Sequence, residues 1–180
     1  LFASFNFTIL SATGLGLAEP DETENSFIGN AVLKAKAAAL VSGTASLADD
    51  SGLSVAALNG APGVYSARWA GPNRDFNIAM KAVEEAFLKT QSDDARAEFI
   101  CALALVWPDG HAVCVEGKIQ GTLKFPARGT RGFGYDPIFQ PCGHNISFGE
   151  MDPDAKHAIS HRADAFAKLI SRCFISSNNG

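Results

Sequence analysis

Phe99-Ile100-Cys101-Ala102-Leu103-Ala104-Leu105-Val106-Trp107, followed by Pro108-Asp109-Gly110-His111 and then Ala112-Val113-Cys114-Val115-Glu116-Gly117-Lys118-Ile119, decides the fold. Nine apolar residues with no polar alternation describe a central strand covered on both faces. The Pro-Asp-Gly-His stretch is a turn, so Ala112 to Ile119 returns antiparallel, and Gly121 to Phe125 extends the sheet. Upstream, Ser26 caps a helix that runs through Asn30, Lys34 and Lys36 to Gly43, a glycine suited to end it. Asp75 caps a second helix, whose Phe76, Ala79, Met80, Val83 and Phe87 recur on one face. Downstream, Asp152-Pro153 has the form of a helix start, and Arg162 to Phe174 reads as an amphipathic closing helix. Phe5 to Leu10, Thr44 to Ala48 and Leu53 to Ala57 read as further short strands. Glu19 to Asn25 and Pro126 to Tyr135 read as loops. The fold class is therefore α/β, with a mixed, partly antiparallel central sheet flanked by helices.

With 180 residues the chain fits one domain, 1–180. A net charge of −4 gives no basic stripe of the kind that holds polymeric nucleic acid, yet a few placed cations suffice for one nucleotide. Cys101, Cys114, Cys142 and Cys173 form no Cys-x-x-Cys, which points to buried free thiols in a reducing compartment and not to zinc or a disulfide framework. No membrane-length apolar run and no secretory signal occur, so the expected location is cytoplasmic and no membrane is expected as a partner. Leu1 opens an apolar run without a start signal, and the expectation is of an N-terminally truncated domain.

The residues able to do chemistry fall in three places. In Asp49-Asp50-Ser51-Gly52 the two carboxylates alternate across a strand, so one faces a given site. Placed at the carboxyl end of a strand they suit a ligand; an Asx turn with solvated acids is the other reading. Glu22, in the loop before the first helix, pairs with Asp50 as a carboxylate set of the kind magnesium takes while it keeps water and phosphate oxygens. Lys34, one turn beyond Asn30, is either a phosphate-binding charge or a solvated helical lysine. Next comes Arg131-Gly132-Phe133-Gly134-Tyr135-Asp136-Pro137-Ile138-Phe139, a glycine loop with two aromatics and a carboxylate. It either encloses a flat ring or plugs the core. Lys156, Ser160, His161 and Arg162 are donors within two turns of a helix, placed to read carbonyl oxygens and ring nitrogens of a purine or to lie solvated at a capped helix start. His157 and His161 have metal-ligand spacing but no third ligand nearby, and no Walker loop, nucleophile elbow or dinucleotide fingerprint is present.

Glu22-Thr23, Asn30-Ala31-Val32-Leu33-Lys34-Ala35, Asp49-Asp50-Ser51-Gly52-Leu53, Gly60-Ala61-Pro62-Gly63-Val64-Tyr65-Ser66-Ala67-Arg68, the Phe133 loop and Ile159-Ser160-His161-Arg162 occur in one order and spacing. In that order they resemble the inosine triphosphate pyrophosphatases, the noncanonical purine nucleoside triphosphate (dITP/XTP) pyrophosphatases, over nearly the whole chain. The resemblance implies a sheet with an active-site cleft between two lobes, and hydrolysis of ITP, dITP and XTP to monophosphate and pyrophosphate, which cleanses the nucleotide pool. It implies a Mg²⁺ cofactor and a homodimer. It makes Asp50 a metal ligand and the catalytic acid-base residue, and Glu22 a metal ligand. Lys34, Ser51 and Arg68 become substrate contacts, and Phe133, Gly134, Tyr135, Asp136, Lys156, His161 and Arg162 line the base pocket.

Two departures stand out. Gly29 occupies a position where the family usually carries glutamate. Ser4-Phe5-Asn6 imitates the start of the family's phosphate loop, but Ile9 stands at its lysine, so the first strand and that loop are expected to be missing. A related pyrophosphatase with another base preference, a non-catalytic nucleotide-binding fragment and a structural protein are the competing readings.

Overall fold

Four strands, β1 (Ser46–Val55), β2 (Arg96–Val106), β3 (Ala112–Leu123) and β4 (Phe139–Pro141), form one sheet in that order in a computed structural model that describes residues 7–174. β2 is buried at all but two of its positions, as its unbroken apolar sequence requires. At its end the Trp107 N–H donates to the His111 carbonyl and the chain doubles back into β3. β3 then pairs antiparallel with β4, Gly121 against Pro141 and Leu123 against Phe139. Gly121 has to be glycine, since a Cβ there would fall on the Phe139 ring and the Gln140 carbonyl.

Among the described residues four α-helices accompany the sheet: α1 (Phe27–Ser42), α2 (Phe76–Thr90), α3 (Pro153–Ile159) and α4 (His161–Cys173). Their ends follow the sequence. The Ser26 hydroxyl accepts from the Gly29 N–H at 3.1 Å, Asp75 accepts from Asn77 at 2.9 Å, and Asp152 accepts from Asp154 and Ala155. Gly43 closes α1 in the left-handed region at φ 66°.

The chain divides into two compact units, and the division falls within β1, β2, β3 and α4. In the first unit (1–50, 102–116, 165–180), α1 buries Phe27, Ala31, Ala35 and Ala39, one residue per turn, with Asn30 beside them. In the second (51–101, 117–164) the core is Leu53, Val55, Ala79, Val83, Phe99, Leu123, Ile138, Phe139 and Phe148 with their neighbours. The rings of Phe99, Phe139 and Phe148 lie 4.6 to 6.1 Å apart; burying each contributes about 2 kcal/mol. The expected apolar face of α2 is the buried one: Ala79 and Val83 are sealed, and Phe76, Met80 and Phe87 pack against this core.

Among the described residues β4 pairs only with Gly121–Leu123, so the earlier part of β3 has no strand on that side. α4 lies there instead. Within the second unit Asp164 accepts from the Lys118 N–H at 3.0 Å. Within the first, Lys168 donates to the Glu116 carbonyl at 2.9 Å and Arg172 to the Cys114 carbonyl at 2.7 Å. Side chains every fourth residue on the helix thus meet backbone groups at every second residue on the strand.

Several expectations need correcting. Thr44–Ala48 and Leu53–Ala57 are not two strands; β1 is continuous from Ser46, and its opening residues are half-buried or exposed, not sealed. Asp49, Asp50 and Ser51 therefore sit inside a strand and not where one runs out. Of the strand expected over Phe5–Leu10, Phe5 and Asn6 lie outside the described residues, and residues 7–10 are irregular and exposed, with no pairing strand among the described residues. The short β4, buried at both ends, was not anticipated, since three residues show no period. Ser160 ends α3 and, through its hydroxyl, accepts from Ala163 at the start of α4, so the run from Lys156 to Arg162 spans two helices. None of the four cysteines forms a disulfide; Cys101 is buried but Cys142 is exposed.

Candidate active site

In the first unit, the loop before α1, two positions one turn apart on α1, and β1 bring four polar side chains together. Lys34 Nζ lies 2.8 Å from Glu22 Oε1 and 3.2 Å from Asp50 Oδ1, so one ammonium bridges both carboxylates. Asn30 Nδ2 donates to the other oxygen, Asp50 Oδ2, at 3.2 Å, while Asn30 Oδ1 accepts the Glu24 N–H at 3.0 Å. Asp50 is 7% exposed and its neighbour Asp49 is exposed, the alternation expected of a strand. The same alternation gives Ser51, half-buried in the second unit, the side of Asp49 and not that of Asp50.

The electrostatics follow from this packing. Burial pushes the Asp50 carboxyl above the usual carboxylate range, and the charge of Lys34 and the Asn30 hydrogen bond only partly offset it. For Lys34, burial pulls the other way, but the hydrogen bond to Glu22 and the two carboxylate charges outweigh it and hold the amine above its ordinary value.

The second constellation lies in the second unit. A cavity of about 250 Å³ is lined by Gly132, Phe133, Met151, Pro153, Lys156, His157, Ser160, His161 and Arg162. Phe133 is 61% exposed, with Lys156 Nζ 4.6 Å and the Arg162 guanidinium 5.2 Å from its ring centre. An aromatic face with cations over it is a surface for stacking a flat, electron-rich ring. The His161 imidazole is buried and stacked on Phe99, 5.0 Å away and 15° from parallel, and Arg162 Nη1 approaches its Nε2 at 3.3 Å.

Asp136 and Tyr135 support this wall from behind. Asp136, 2% exposed, accepts from Lys156 Nζ and, at 2.7 Å, from the Phe133 N–H. Burial raises its pKa, with Lys156 acting against that. Gly132, at φ 78°, leaves the room: a Cβ there would collide with the Asp136 carboxylate. Tyr135 turns into the core, donating its hydroxyl to the Ser66 carbonyl at 2.8 Å and meeting Phe76 edge-on. Gly134 takes φ 66° between them. Arg68 is exposed, its guanidinium over the Tyr65 ring, and does not line the cavity.

The structure thus joins Glu22, Lys34 and Asp50 in one cluster, and Phe133, Lys156, His161 and Arg162 around one cavity. Asn30 joins this cluster without being among the expected site residues; its signal in the sequence is a polar amide beside an alanine stripe. Met151 carries no such signal, and the signals at Pro153 and His157, a helix start and a metal-ligand spacing, do not point to a base cavity.

The chain as a whole is similar to known proteins. The model of the Ham1 family matches residues 1–172. The dITP/XTP pyrophosphatase of Caulobacter vibrioides is 64% identical over 168 residues, covering 93% of this chain and 87% of that protein. The dITP/XTP pyrophosphatase of Rhodospirillum centenum is 62% identical, covering 91% and 81%. Among solved structures, a HAM1 protein from Coxiella burnetii superimposes with a TM-score of 0.85 at 40% identity, covering 88% of this chain and 82% of that one.

Proposed function

Since the chain belongs to the Ham1 family, we propose that it hydrolyses noncanonical purine nucleoside triphosphates, dITP, XTP and ITP, to the monophosphate and pyrophosphate. The observation that carries the chemistry is the Lys34 ammonium held between the Glu22 and Asp50 carboxylates. Two converging carboxylates already neutralised by a cation are a site built for positive charge. Among the described residues no group of three or more His, Cys, Asp or Glu is gathered to hold a metal. Two hard oxygen donors suit Mg²⁺, which fills its remaining positions with water and phosphate oxygens. Glu22 and Asp50 would hold it, and when bound it supplies charge neutralisation on the phosphates and the leaving pyrophosphate.

This chain's own residues do the rest. Asp50, its carboxylate oriented by Asn30 and Lys34, aligns the attacking water at the α-phosphorus and takes its proton. Lys34 exchanges a carboxylate partner for phosphate oxygen as substrate arrives, and its raised pKa keeps it charged. The base goes to the cavity of the second unit, stacked on Phe133. Lys156 and Arg162 donate to the 6-oxo group; an adenine amino group would set donor against donor there, a mismatch that can cost on the order of 10⁴-fold in discrimination. The same reading takes residues 1–180 as one domain working as a cytoplasmic homodimer, and the family resemblance supports it.

The test is turnover of dITP, XTP, ITP, ATP and GTP by the purified protein with and without EDTA. dIMP and pyrophosphate from dITP, abolished by EDTA and restored by Mg²⁺, are expected. Orthophosphate as the first product, or ATP used as well as dITP, would overturn the reading.

A further inference from the structure

We infer that Asn30 is a positioning residue, which fixes the rotation of the Asp50 carboxylate and its separation from Glu22 and so sets the affinity of the carboxylate pair for a divalent cation. The inference rests on the reading of Glu22 and Asp50 as that pair.

Asn30 is 1% exposed, on a helix face otherwise made of Phe27 and small alanines. A polar side chain at such a position costs stability unless both of its ends are paired. Both are, and in only one orientation. The Glu24 backbone N–H can only donate, so the amide oxygen must face it at 3.0 Å, and the NH₂ must face Asp50 Oδ2 at 3.2 Å. One amide group therefore connects the loop that carries Glu22, two residues before Glu24, to the strand that carries Asp50.

Lys34 holds Asp50 by Oδ1 alone, and a single contact at one oxygen leaves the carboxylate able to rotate about its Cβ–Cγ bond. The Asn30 bond at Oδ2 removes that freedom. It also keeps Oδ1 as the oxygen turned toward Lys34 and Glu22. A divalent cation needs the two carboxylates at a set spacing and pays less for ordering when they are held there before it binds. Asn30 spaces them without offering a third charge.

The test is Mn²⁺ binding, followed by water-proton relaxation, together with steady-state dITP kinetics, for Asn30→Ala and for Ser26→Ala. Ser26→Ala removes the cap of the same helix and touches neither carboxylate. Asn30→Ala is expected to weaken Mn²⁺ binding at least tenfold and to lower kcat by about 10- to 100-fold. Its KM for dITP should change less than threefold, because the base is held elsewhere. Ser26→Ala should lower the melting temperature and leave Mn²⁺ affinity and kcat within about twofold of wild type.

Should Asn30→Ala not fold, Asn30→Asp keeps the volume and the acceptor for Glu24 but loses the donor to Asp50. Its kcat should still fall by more than tenfold. Wild-type Mn²⁺ affinity in Asn30→Ala, wild-type kcat in Asn30→Asp, or an equal loss in Ser26→Ala would each overturn the proposal. A wild-type protein that binds Mn²⁺ but hydrolyses no nucleotide would instead count against the function, and the Mn²⁺ comparison would still decide the role of Asn30.

Discussion

At the scale of single residues, the adjacent carboxylates Asp49 and Asp50 differ in one respect, the side of the strand they occupy. Asp50 is buried against Asn30 and Lys34, and Asp49 is exposed. Asp50→Asn keeps the shape and removes the base, so kcat for dITP should fall by about 10² to 10⁴ with nucleotide affinity largely kept. Asp49→Asn should stay within a few-fold of wild type. Equal losses in the two variants, measured as initial rates of pyrophosphate release, would reverse the assignment.

Asp136 gives a second residue-level prediction. Burial raises its folded pKa above the ordinary 3.8, and Lys156 pulls it back. A carboxyl group raised on folding binds more protons in the native state. Its stabilising contribution is therefore full below the unfolded pKa and is lost as pH rises through the folded one. Lys156→Met removes the opposing charge, moves the folded pKa further up and extends that loss to higher pH. Carboxyl carbon shifts of Asp136, with urea midpoints over roughly pH 4 to 8, should show the wider window. Adding Asp136→Asn should abolish it.

At the scale of elements, the sequence was most legible where local and tertiary signals agreed. β2 is apolar because it is covered on both faces, and the helices began at Ser26, Asp75 and Asp152 because those side chains satisfy the first free N–H groups. In β1 the local and tertiary signals disagree. Asp-Asp-Ser-Gly has the local preference of a turn, but strand pairing overrides such preferences, and the strand carries straight through it. The candidate site divides in the same way. Acids, cations and exposed aromatics announce themselves, whereas the inward turn of Tyr135 depends on a backbone carbonyl, that of Ser66, 69 residues away in sequence.

At the scale of the whole molecule, the alternation of strand and helix and the family membership were both readable from the motifs, while the division into two units was not. That division cuts through β1, β2, β3 and α4 instead of falling in a linker, so no shift in composition marks it. The same long strands raise a question of colloidal behaviour. A row of unclaimed amides along a strand is a template on which another chain can add itself. The row along β3 is answered by Asp164, Lys168 and Arg172, an acid facing an N–H and two bases facing carbonyls. On that principle these three side chains should hinder strand addition along β3, and none of them takes part in the proposed chemistry. Replacing all three with alanine should leave the initial dITP rate of fresh monodisperse protein within about threefold of wild type, yet give concentration-dependent growth of large species by light scattering, with thioflavin binding, over hours of warming. If the triple variant stays monodisperse, the helix is merely packed on the sheet; if it polymerises, α4 is the molecule's seal against recruiting copies of itself.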